Sequence, residues 1–249
     1  MHRRALAALS LLLVAAFALA ACGPAAKPDL TDPSAIITGA VASMQKAKTV
    51  HLAATVDGTI NGSLTGLGSG DISLAGTTLE GDVDIAGSNA HFSASAPALL
   101  GLSADIIVVG TDTYAKVSLT GPKYQKSTTA AGTPTDPAAA LKDLQDFLAK
   151  PEVKPTKKDD AACGSKKCYQ VVIDLTADEL KTLMPDQTIG DAGVTLTLLV
   201  EKDTLYPVSV TVALKGTDVG DLSLTLTLSN WDKPVTITAP PADQVEAAA

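Results

Sequence analysis

The side chains that could do chemistry in this sequence are few, and they are dispersed along the chain. No stretch matches the nucleophile elbow GxSxG, the phosphate-binding P-loop, the zinc motif HExxH or the dinucleotide motif GxGxxG. His51 and His91 each stand in or beside a segment of alternating polarity, which indicates a place on a sheet surface. Asp82 and Asp84 lie two residues apart in a similar segment, so both carboxylates should face solvent. We therefore predict a protein that is not an enzyme and has no catalytic residue and no cofactor.

One segment, DVDIAGSNAHFS from Asp82, matches a calcium-binding loop at its first, third and sixth positions. Its fifth position is Ala86 and its twelfth is Ser93, and neither side chain supplies the carboxylate that the loop requires. The segment therefore predicts no metal site.

The first of the three cysteines follows a segment typical of export. Residues 1–21 begin with His2, Arg3 and Arg4 and continue as ALAALSLLLVAAFALA, an apolar run that is short and wrongly flanked for a membrane span. The residues LAAC, which end at Cys22, resemble the lipobox of bacterial lipoproteins, where cleavage falls before the cysteine and the thiol receives a diacylglycerol. We expect residues 1–21 to be a signal peptide and Cys22 to be lipidated. The alternative is cleavage nearby by an ordinary signal peptidase, which leaves Cys22 with a free thiol.

A lipidated Cys22 would place the protein on the extracytoplasmic face of the cell membrane. Two or more acyl chains hold a protein stably on a bilayer, whereas one chain binds only reversibly. Residues 22–31 would then be the acylated N-terminus and a flexible tether, and residues 32–249 a single domain.

Cys163 and Cys168, in CGSKKC, are expected to form a local structural disulfide in an oxidising compartment. Their spacing differs from that of CxxC redox motifs, and no neighbouring His or Cys indicates zinc.

The charge of the chain argues against nucleic acid as a partner. Loss of residues 1–21 would remove two of the 19 basic residues and none of the 27 acidic ones, which changes the formal net charge from −8 to −10. A surface with that charge repels phosphate backbones and anionic headgroups.

Three short helices are predicted. Asp32 and Pro33 begin the first, which continues to about Lys46. Asp136 and Pro137 begin the second, which Pro151 ends. The third opens at Thr176 with capping-box spacing to Glu179. The apolar positions of the three helices are Ile36, Ile37, Ala40, Val41 and Met44; Leu141, Leu144, Phe147 and Leu148; and Leu180, Leu183 and Met184.

Most other segments alternate between apolar and polar residues with a period of two, which is typical of half-buried antiparallel strands. The alternation is clearest in TVHLAATVDGTI from Thr49, VTLTLLV from Val194, PVSVTVAL from Pro207 and LSLTLTL from Leu222. The pattern predicts an α+β fold with one extended antiparallel sheet of about ten or eleven strands.

Such a sheet has two possible interiors. A twisted sheet of about ten strands must curl or close. A half barrel with helices over its open face would surround an apolar space that the scarce aromatic residues leave unfilled. The alternative is a well-packed sandwich or barrel with no cavity.

Several longer segments resemble the LppX/LprAFG lipoproteins of mycobacteria and other actinobacteria. They are the lipobox, SMQKAKTVHLAATVDGTI, VVGTDTYAKVSLTGPKYQKS and WDKPVTITAPPADQV. The resemblance covers essentially the whole mature chain and implies a curved antiparallel half barrel closed by helices, akin to the carriers LolA and LolB. It also implies that the hollow binds acyl chains of envelope lipids or glycolipids and helps to move them outward, and it suggests an envelope lipid transporter as a partner. The CGSKKC segment matches no functional motif of the family.

The strand pattern then suggests which residues face the hollow. We expect its lining to include Leu52, Val56, Ile72, Leu74, Leu196, Leu198, Val210, Val212, Leu224 and Leu226. Leu99, Leu100 and Leu102, in a break between strands, would form a membrane-facing mouth segment or, equally, a buried plug. The competing function is a structural or interaction lipoprotein with a packed β core and no lipid cargo.

Overall fold

The computed structural model of the chain describes residues 29–61, 70–128, 146–148, 150–183, 191–216 and 220–246. The chain divides into two units, Met1–Leu30 and Thr31–Ala249. Cys22, Leu141, Leu144 and Met184 lie outside the described residues.

Two helices have the capping residues that the sequence predicts. Helix α1, Pro33–Met44, begins where the Asp32 carboxylate accepts the backbone N–H of Ser34 at 3.0 Å. It ends two residues before the predicted end. Helix α2, Ala177–Leu183, begins with a reciprocal capping box, in which Glu179 accepts the Thr176 N–H at 2.9 Å and donates its own N–H to the Thr176 hydroxyl at 3.3 Å. Of the predicted second helix, residues 146–148 and Lys150 are described; residues 146–148 are helical and Lys150 is not.

Thirteen strands are formed by the described residues. Their bounds are β1 Thr49–Asn61, β2 Asp71–Ser73, β3 Thr77–Asp84, β4 Asn89–Ala96, β5 Leu102–Val109, β6 Asp112–Val117, β7 Gln125–Thr128, β8 Thr156–Lys157, β9 Ala161–Cys163, β10 Lys166–Leu175, β11 Gly193–Glu201, β12 Pro207–Gly216 and β13 Gly220–Ser229. The number exceeds the ten or eleven predicted. The strands β8 and β9 have only two or three residues each, too few to show a periodic pattern.

These strands pair antiparallel in one open sheet. The order is β7-β6-β5-β4-β3-β1-β13-β12-β11-β10-β8, with β2 paired to β1 and β9 to β10. Strand β1 therefore lies near the middle, between β3 and β13. The predicted single antiparallel sheet is confirmed.

The register gives the sheet one apolar face and one mainly polar face. A single row across nine strands, β10 to β6, contains only apolar residues: Val171, Leu198, Val210, Leu226, Ala54, Leu79, Ala94, Ala104 and Val117. The next row, one residue along each strand and on the other face, begins with Val172 of β10 and continues with Thr197, Thr211, Thr225, Thr55, Thr78, Ser95 and Ser103. Paired residues of neighbouring strands point to the same face. The pairing therefore aligns the apolar positions of each strand with those of the next.

The best-buried part of the unit lies where α1 packs on the apolar face near β10. Ile36, Ile37, Ala40 and Val41 of α1 are buried, as are Val171 and Ile173 of β10. This packing explains why α1 has its apolar residues at helical spacing.

Cys163 and Cys168 form the disulfide that the sequence predicts, with their Cα atoms 5.9 Å apart. The bond joins β9 to the start of β10 around the turn at Gly164. Lys166 in the same hairpin donates to the Glu201 carboxylate at 2.6 Å, which ties the hairpin to the end of β11.

The C-terminal segment, residues 230–246, packs on the face opposite to α1. Asp232 N–H donates to the Thr49 carbonyl at 3.0 Å, and Ile237 and Val245 pack against Ile107 and Tyr114. Glu246 N–H then donates to the Tyr124 carbonyl at 2.8 Å, just before β7. This segment therefore joins the middle of the sheet to one of its edges.

Candidate functional site

An apolar cavity of about 260 Å³ lies between α1 and the apolar face of the sheet. Every described residue that lines it is apolar. The lining consists of Ile37, Ala40, Val41, Met44, Leu148, Val171, Ile173, Leu196, Leu198, Pro207, Val210, Leu226 and Leu228. Side chains of this kind offer a ligand no hydrogen-bond partner.

Four of the ten predicted lining residues line this cavity: Leu196, Leu198, Val210 and Leu226. Leu52, Val56, Val212 and Leu224 lie on the same sheet face through the strand register but outside the cavity wall. Ile72 pairs with Ile60 in the short β2, and Leu74 follows that strand, so neither reaches the cavity.

Sequence reasoning missed the other side of the cavity. Helix α1 supplies Ile37, Ala40, Val41 and Met44, and β10 supplies Val171 and Ile173. The helical spacing of these α1 residues indicated a buried stripe, but the position of that stripe against β10–β13 depends on tertiary packing.

A second cavity, of about 470 Å³, adjoins the first. The two share Ile37, Val41 and Leu148 as wall residues. Beyond them the second cavity is lined by Ser34, Thr38, Lys150, Val153 and Pro155, so it is partly polar. Ser34, Thr38 and Lys150 are exposed, so this second space opens to solvent.

The predicted mouth segment lies at one end of the hairpin β4–β5. Leu99 and Leu100 are in the turn, and Leu102 is the first residue of β5. Leu100 has 95% of its surface exposed and a left-handed backbone with φ of 56°. Leu119, in the connection between β6 and β7, is 72% exposed. The two connections are adjacent, since Ser118 N–H donates to the Ser103 carbonyl at 2.9 Å.

The histidines lie on the polar face among carboxylates. His51 Nδ1 is 2.9 Å from Asp82 Oδ1, and His91 Nε2 is 3.3 Å from both oxygens of Asp105. The Tyr124 hydroxyl donates to Asp105 at 2.8 Å. Burial raises the pKa of Asp105, but the hydrogen bonds from Tyr124 and His91 outweigh it, and the net pKa is below its usual value.

This polar cluster explains the histidines as sheet-surface residues, as predicted. Within the described ranges, no three His, Cys, Asp or Glu side chains are grouped so that they could hold a metal ion. The segment from Asp82 is a hairpin turn, in which the Asp84 carboxylate accepts the Gly87 N–H at 2.8 Å. Among the residues with described coordinates, no helix combines the length and the hydrophobicity needed to cross a bilayer.

Comparison with known proteins gives a family and a fold. The sequence model of the LppX_LprAFG lipoprotein family matches residues 32–237. No curated protein sequence matches the chain.

Among solved structures, the chain is similar to the lipoprotein LppX of Mycobacterium tuberculosis, with 16% identity and a TM-score of 0.51 over 83% of this chain and 100% of that one. It is also similar to LprF of Mycobacterium bovis, with 18% identity and a TM-score of 0.52 over 85% of this chain and 99% of that one. At these identities the likeness establishes the fold alone.

Proposed function

The chain belongs to the LppX_LprAFG lipoprotein family, and from that premise we propose that it binds the acyl chains of envelope lipids or glycolipids and assists their transport across the cell envelope. The observation that carries this proposal is the cavity of about 260 Å³ with its apolar walls. In the proposal the open sheet is a half barrel, and α1 is one of the helices over its open face.

The proposed transfer of an acyl chain from a bilayer to the cavity makes and breaks no covalent bond. An acyl chain that leaves a bilayer for this cavity exchanges one hydrocarbon environment for another. Each methylene left in water instead would cost roughly 0.8 kcal/mol. A carrier therefore needs only to shield the chain, which an apolar wall does.

The apolar row offers a continuation of the cavity. From Val210 and Leu226 the row passes through Ala54 and Leu79 to Ala104. The outer members of this row are partly exposed. Leu224, which lies on the same face two residues before Leu226 in β13, is also partly exposed. We propose that long chains extend along this row.

The two exposed leucines fit a role at the mouth. Leu100 and Leu119 stand in adjacent connections, and neither residues 97–103 nor residues 117–124 contain an acidic side chain. In a chain of net negative charge, such apolar tips without acidic side chains suit contact with a bilayer. We propose that Leu99, Leu100 and Leu102 face the membrane when cargo enters.

Cys22 completes the proposal as a lipid anchor on the extracytoplasmic side of the cell membrane. The nine residues from Gly23 to Thr31 would span up to roughly 30 Å if extended. The anchor would keep the cavity near its lipid source, and an envelope lipid transporter would be the partner in delivery.

The test uses the chain with Cys22→Ser, which cannot be acylated at that position. Native mass spectrometry should detect co-purified lipid, and a fluorescent fatty-acyl probe should bind. Leu226→Trp fills the cavity and should reduce probe uptake while the protein stays folded. Thr225→Trp, the next residue on the opposite face, is the control and should leave uptake unchanged.

Two outcomes would reject the proposal. No bound lipid together with no probe uptake would favour a packed structural lipoprotein. Unfolding by Leu226→Trp would also favour a packed core, because overpacking costs typically about 1–3 kcal/mol.

A further inference from the structure

We propose that a lysine-rich surface beside the disulfide hairpin docks the anchored protein on the anionic headgroups of the membrane that holds it. The inference rests on the proposed function only for the anchor at Cys22. It concerns how the protein lies on the bilayer, and acyl-chain binding is measured separately.

This surface surrounds the edge strand β8. Its lysines come from β8 and the residue after it, from the start of β10 and from the connection between β11 and β12: Lys157, Lys158, Lys166, Lys167 and Lys202. None of these side chains is buried. We call this surface the basic edge.

The basic edge reverses the charge of the chain locally. Residues 154–167 contain five lysines and two aspartates, a net formal charge of +3, whereas loss of residues 1–21 leaves the whole chain with −10. Glu201, Lys202 and Asp203 of the neighbouring connection reduce the local value to +2. Because exposed charges farther away than about 10 Å are largely screened by salt, this side of the protein attracts an anionic bilayer that the rest repels.

Two of the five lysines share one carboxylate. Lys157 and Lys202 donate to the two oxygens of Asp160 at 3.0 and 2.6 Å. Their ammonium groups also lie over the ring of Tyr169, at 5.7 and 4.8 Å from its centre. These contacts connect β8, β10 and the β11–β12 connection, so the basic edge is held in one arrangement.

Lys158 and Lys167 are the lysines available to a partner. Both are exposed, and among the residues with described coordinates neither ammonium group contacts a carboxylate, whereas Lys166 is paired. The disulfide between Cys163 and Cys168 closes the turn that carries Lys167. The basic edge therefore presents two cations on a fixed support.

The basic edge lies where the tether joins the folded unit, which begins at Thr31. The residues that line a groove at this point are Thr31, Lys157, Lys158, Asp159 and Gln170. Thr31 is nine residues from Cys22, a span of up to roughly 30 Å if extended. A bilayer that holds an acylated Cys22 is thus always within reach of these lysines, which is why we assign the basic edge to a membrane and not to an acidic protein.

The tether also reduces the affinity that the contact needs. A short tether keeps the two surfaces at an effective concentration in the millimolar range. One lysine near an anionic bilayer changes binding about fivefold. Two available lysines are therefore enough to orient the anchored protein, although they would hold an untethered protein only weakly.

Docking at the basic edge places the apolar cavity close to the headgroups. Lys157 of β8 pairs with Val171 of β10, and Val171 lines the cavity. Paired strands lie about 4.8 Å apart. The wall of the cavity is thus one strand away from the docked surface.

The basic edge and the leucines of the mouth lie at opposite ends of the sheet. The disulfide hairpin is at the end where β1 begins, and Leu100 and Leu119 are at the end where β1 finishes. Contact by the leucines therefore needs a different orientation on the bilayer. The basic edge defines the orientation at rest, before the mouth engages.

The first test measures the reactivity of single lysines on a bilayer. Once the disulfide has formed, Cys22 is the remaining cysteine of the mature chain and can be coupled to a maleimide-bearing lipid in vesicles. The vesicles are phosphatidylcholine, with or without phosphatidylglycerol. Brief treatment with acetic anhydride, followed by mass spectrometry, gives an acetylation rate for each lysine.

Lys158 and Lys167 should be acetylated about fivefold more slowly on vesicles with phosphatidylglycerol than on phosphatidylcholine alone. High salt should remove the difference. Lys181 and Lys215 are exposed lysines at the opposite end of the sheet, and their rates should be the same on both kinds of vesicle. Leu100→Ser should leave all four rates unchanged.

The second test separates the basic edge from overall charge. It measures flotation of the untethered full chain, with Cys22→Ser, on vesicles with phosphatidylglycerol at low salt. Lys158→Gln combined with Lys167→Gln should reduce binding about twenty-five-fold. Lys181→Gln combined with Lys215→Gln makes the same change in net charge and should reduce binding less than about twofold, because these lysines lie outside the basic edge.

Several outcomes would overturn the inference. Lys158 and Lys167 that react equally fast on both kinds of vesicle would exclude a headgroup contact and leave the basic edge for an acidic protein. Equally slow reaction on both would show that the tether alone covers them. Equal losses for the two double variants would assign the effect to net charge, and loss of vesicle binding by Leu100→Ser would assign the contact to the mouth.

The proposed function is judged by a different readout. Both double variants should take up the fluorescent fatty-acyl probe as the unmodified chain does, because none of the four lysines lines the apolar cavity. Absence of probe uptake with protected lysines would reject acyl-chain binding and leave the docking surface standing. Probe uptake with unprotected lysines would reject the docking surface alone.

Discussion

Tyr124 connects three parts of the molecule through one side chain and its backbone. Its hydroxyl donates to Asp105 on β5, and its backbone exchanges hydrogen bonds with Gln244 and Glu246 of the C-terminal segment. Its ring is also one of the buried side chains beneath Val245. Burial and the hydrogen bond to the Asp105 carboxylate raise the pKa of Tyr124 to about 12.

Replacing Tyr124 by Phe should therefore lower the free energy of unfolding by about 1 kcal/mol at neutral pH, the value of a typical hydrogen bond. Because the pKa of Asp105 is lowered by folding, its contribution is present above its usual value of 3.8 and is lost as pH falls below it. Because the pKa of Tyr124 is raised, its contribution is present below 10.0 and is lost as pH rises towards about 12.

Urea unfolding of the two proteins between about pH 3 and about pH 11.5 would measure this difference. The gap should be widest near neutrality and should narrow at both ends of the range. Ser93→Ala removes a longer hydrogen bond, 3.2 Å, to the same carboxylate and should have a smaller effect. A gap that is constant with pH would show that the Tyr124→Phe substitution acts through packing and not through the hydrogen bond.

At the scale of single elements, local patterns were good predictors where the physical signal is local. The cap at Asp32 and the capping box at Thr176 and Glu179 are each complete within four residues, and both form as predicted. Strand periodicity likewise assigned Leu196 and Leu198 to one face, and both line the cavity.

Other features depend on residues that are distant in sequence. The pairing of β1 with β13 joins residues about 170 positions apart, and no local pattern specifies that order. The partner of α1 on the sheet was equally undetermined, which is why Val171 and Ile173 were missed as lining residues.

Gly58 in β1 tests the importance of that central pairing. Its backbone has a φ of 115°, and a Cβ built there would collide with the Asp221 carbonyl oxygen of β13. Gly58→Ala should lower the free energy of unfolding by roughly 2–5 kcal/mol, because backbone strain and a clash between strands add together.

Gly76 provides a matched control for Gly58. It also has a left-handed backbone, with φ of 74°, but a Cβ there would meet nothing within 4 Å. Gly76→Ala should cost only about 1–2 kcal/mol from strain. Chemical denaturation of both variants would give the contribution of the clash as the difference between their losses in free energy of unfolding. Equal losses would show that the β1–β13 contact can relax.

The disulfide hairpin is an element with a separate test. Replacing both Cys163 and Cys168 by Ser removes the link around a short loop, for which chain entropy predicts a loss of about 2 kcal/mol. Thermal unfolding in the presence and absence of reductant would measure it. The double variant should be insensitive to reductant, and acyl-probe binding should persist because the hairpin does not line the cavity.

At the scale of the whole unit, the sheet depends on its last strand. Strand β13 pairs with both β1 and β12 and supplies Leu226 and Leu228 to the cavity. A chain that ends at residue 219 should show no cooperative unfolding, because two central strands lose their partner.

A chain that ends at Ser229 keeps β13 and loses only the C-terminal segment. It should fold with reduced stability, since Ile107 and Tyr114 lose the cover of Ile237 and Val245. Circular dichroism melting curves of both truncated chains would make the comparison. Cooperative melting of the chain that ends at residue 219 would contradict a central role for β13.

The position of β13 beside β1 has a consequence for the order of events during biosynthesis. The chain grows from its N-terminus, so β1 exists long before its partner, Gly220–Ser229, has been made. Closure of the central pair must wait for nearly the entire polypeptide, and such distant pairings form slowly. The nascent chain thus lacks a finished sheet throughout its elongation.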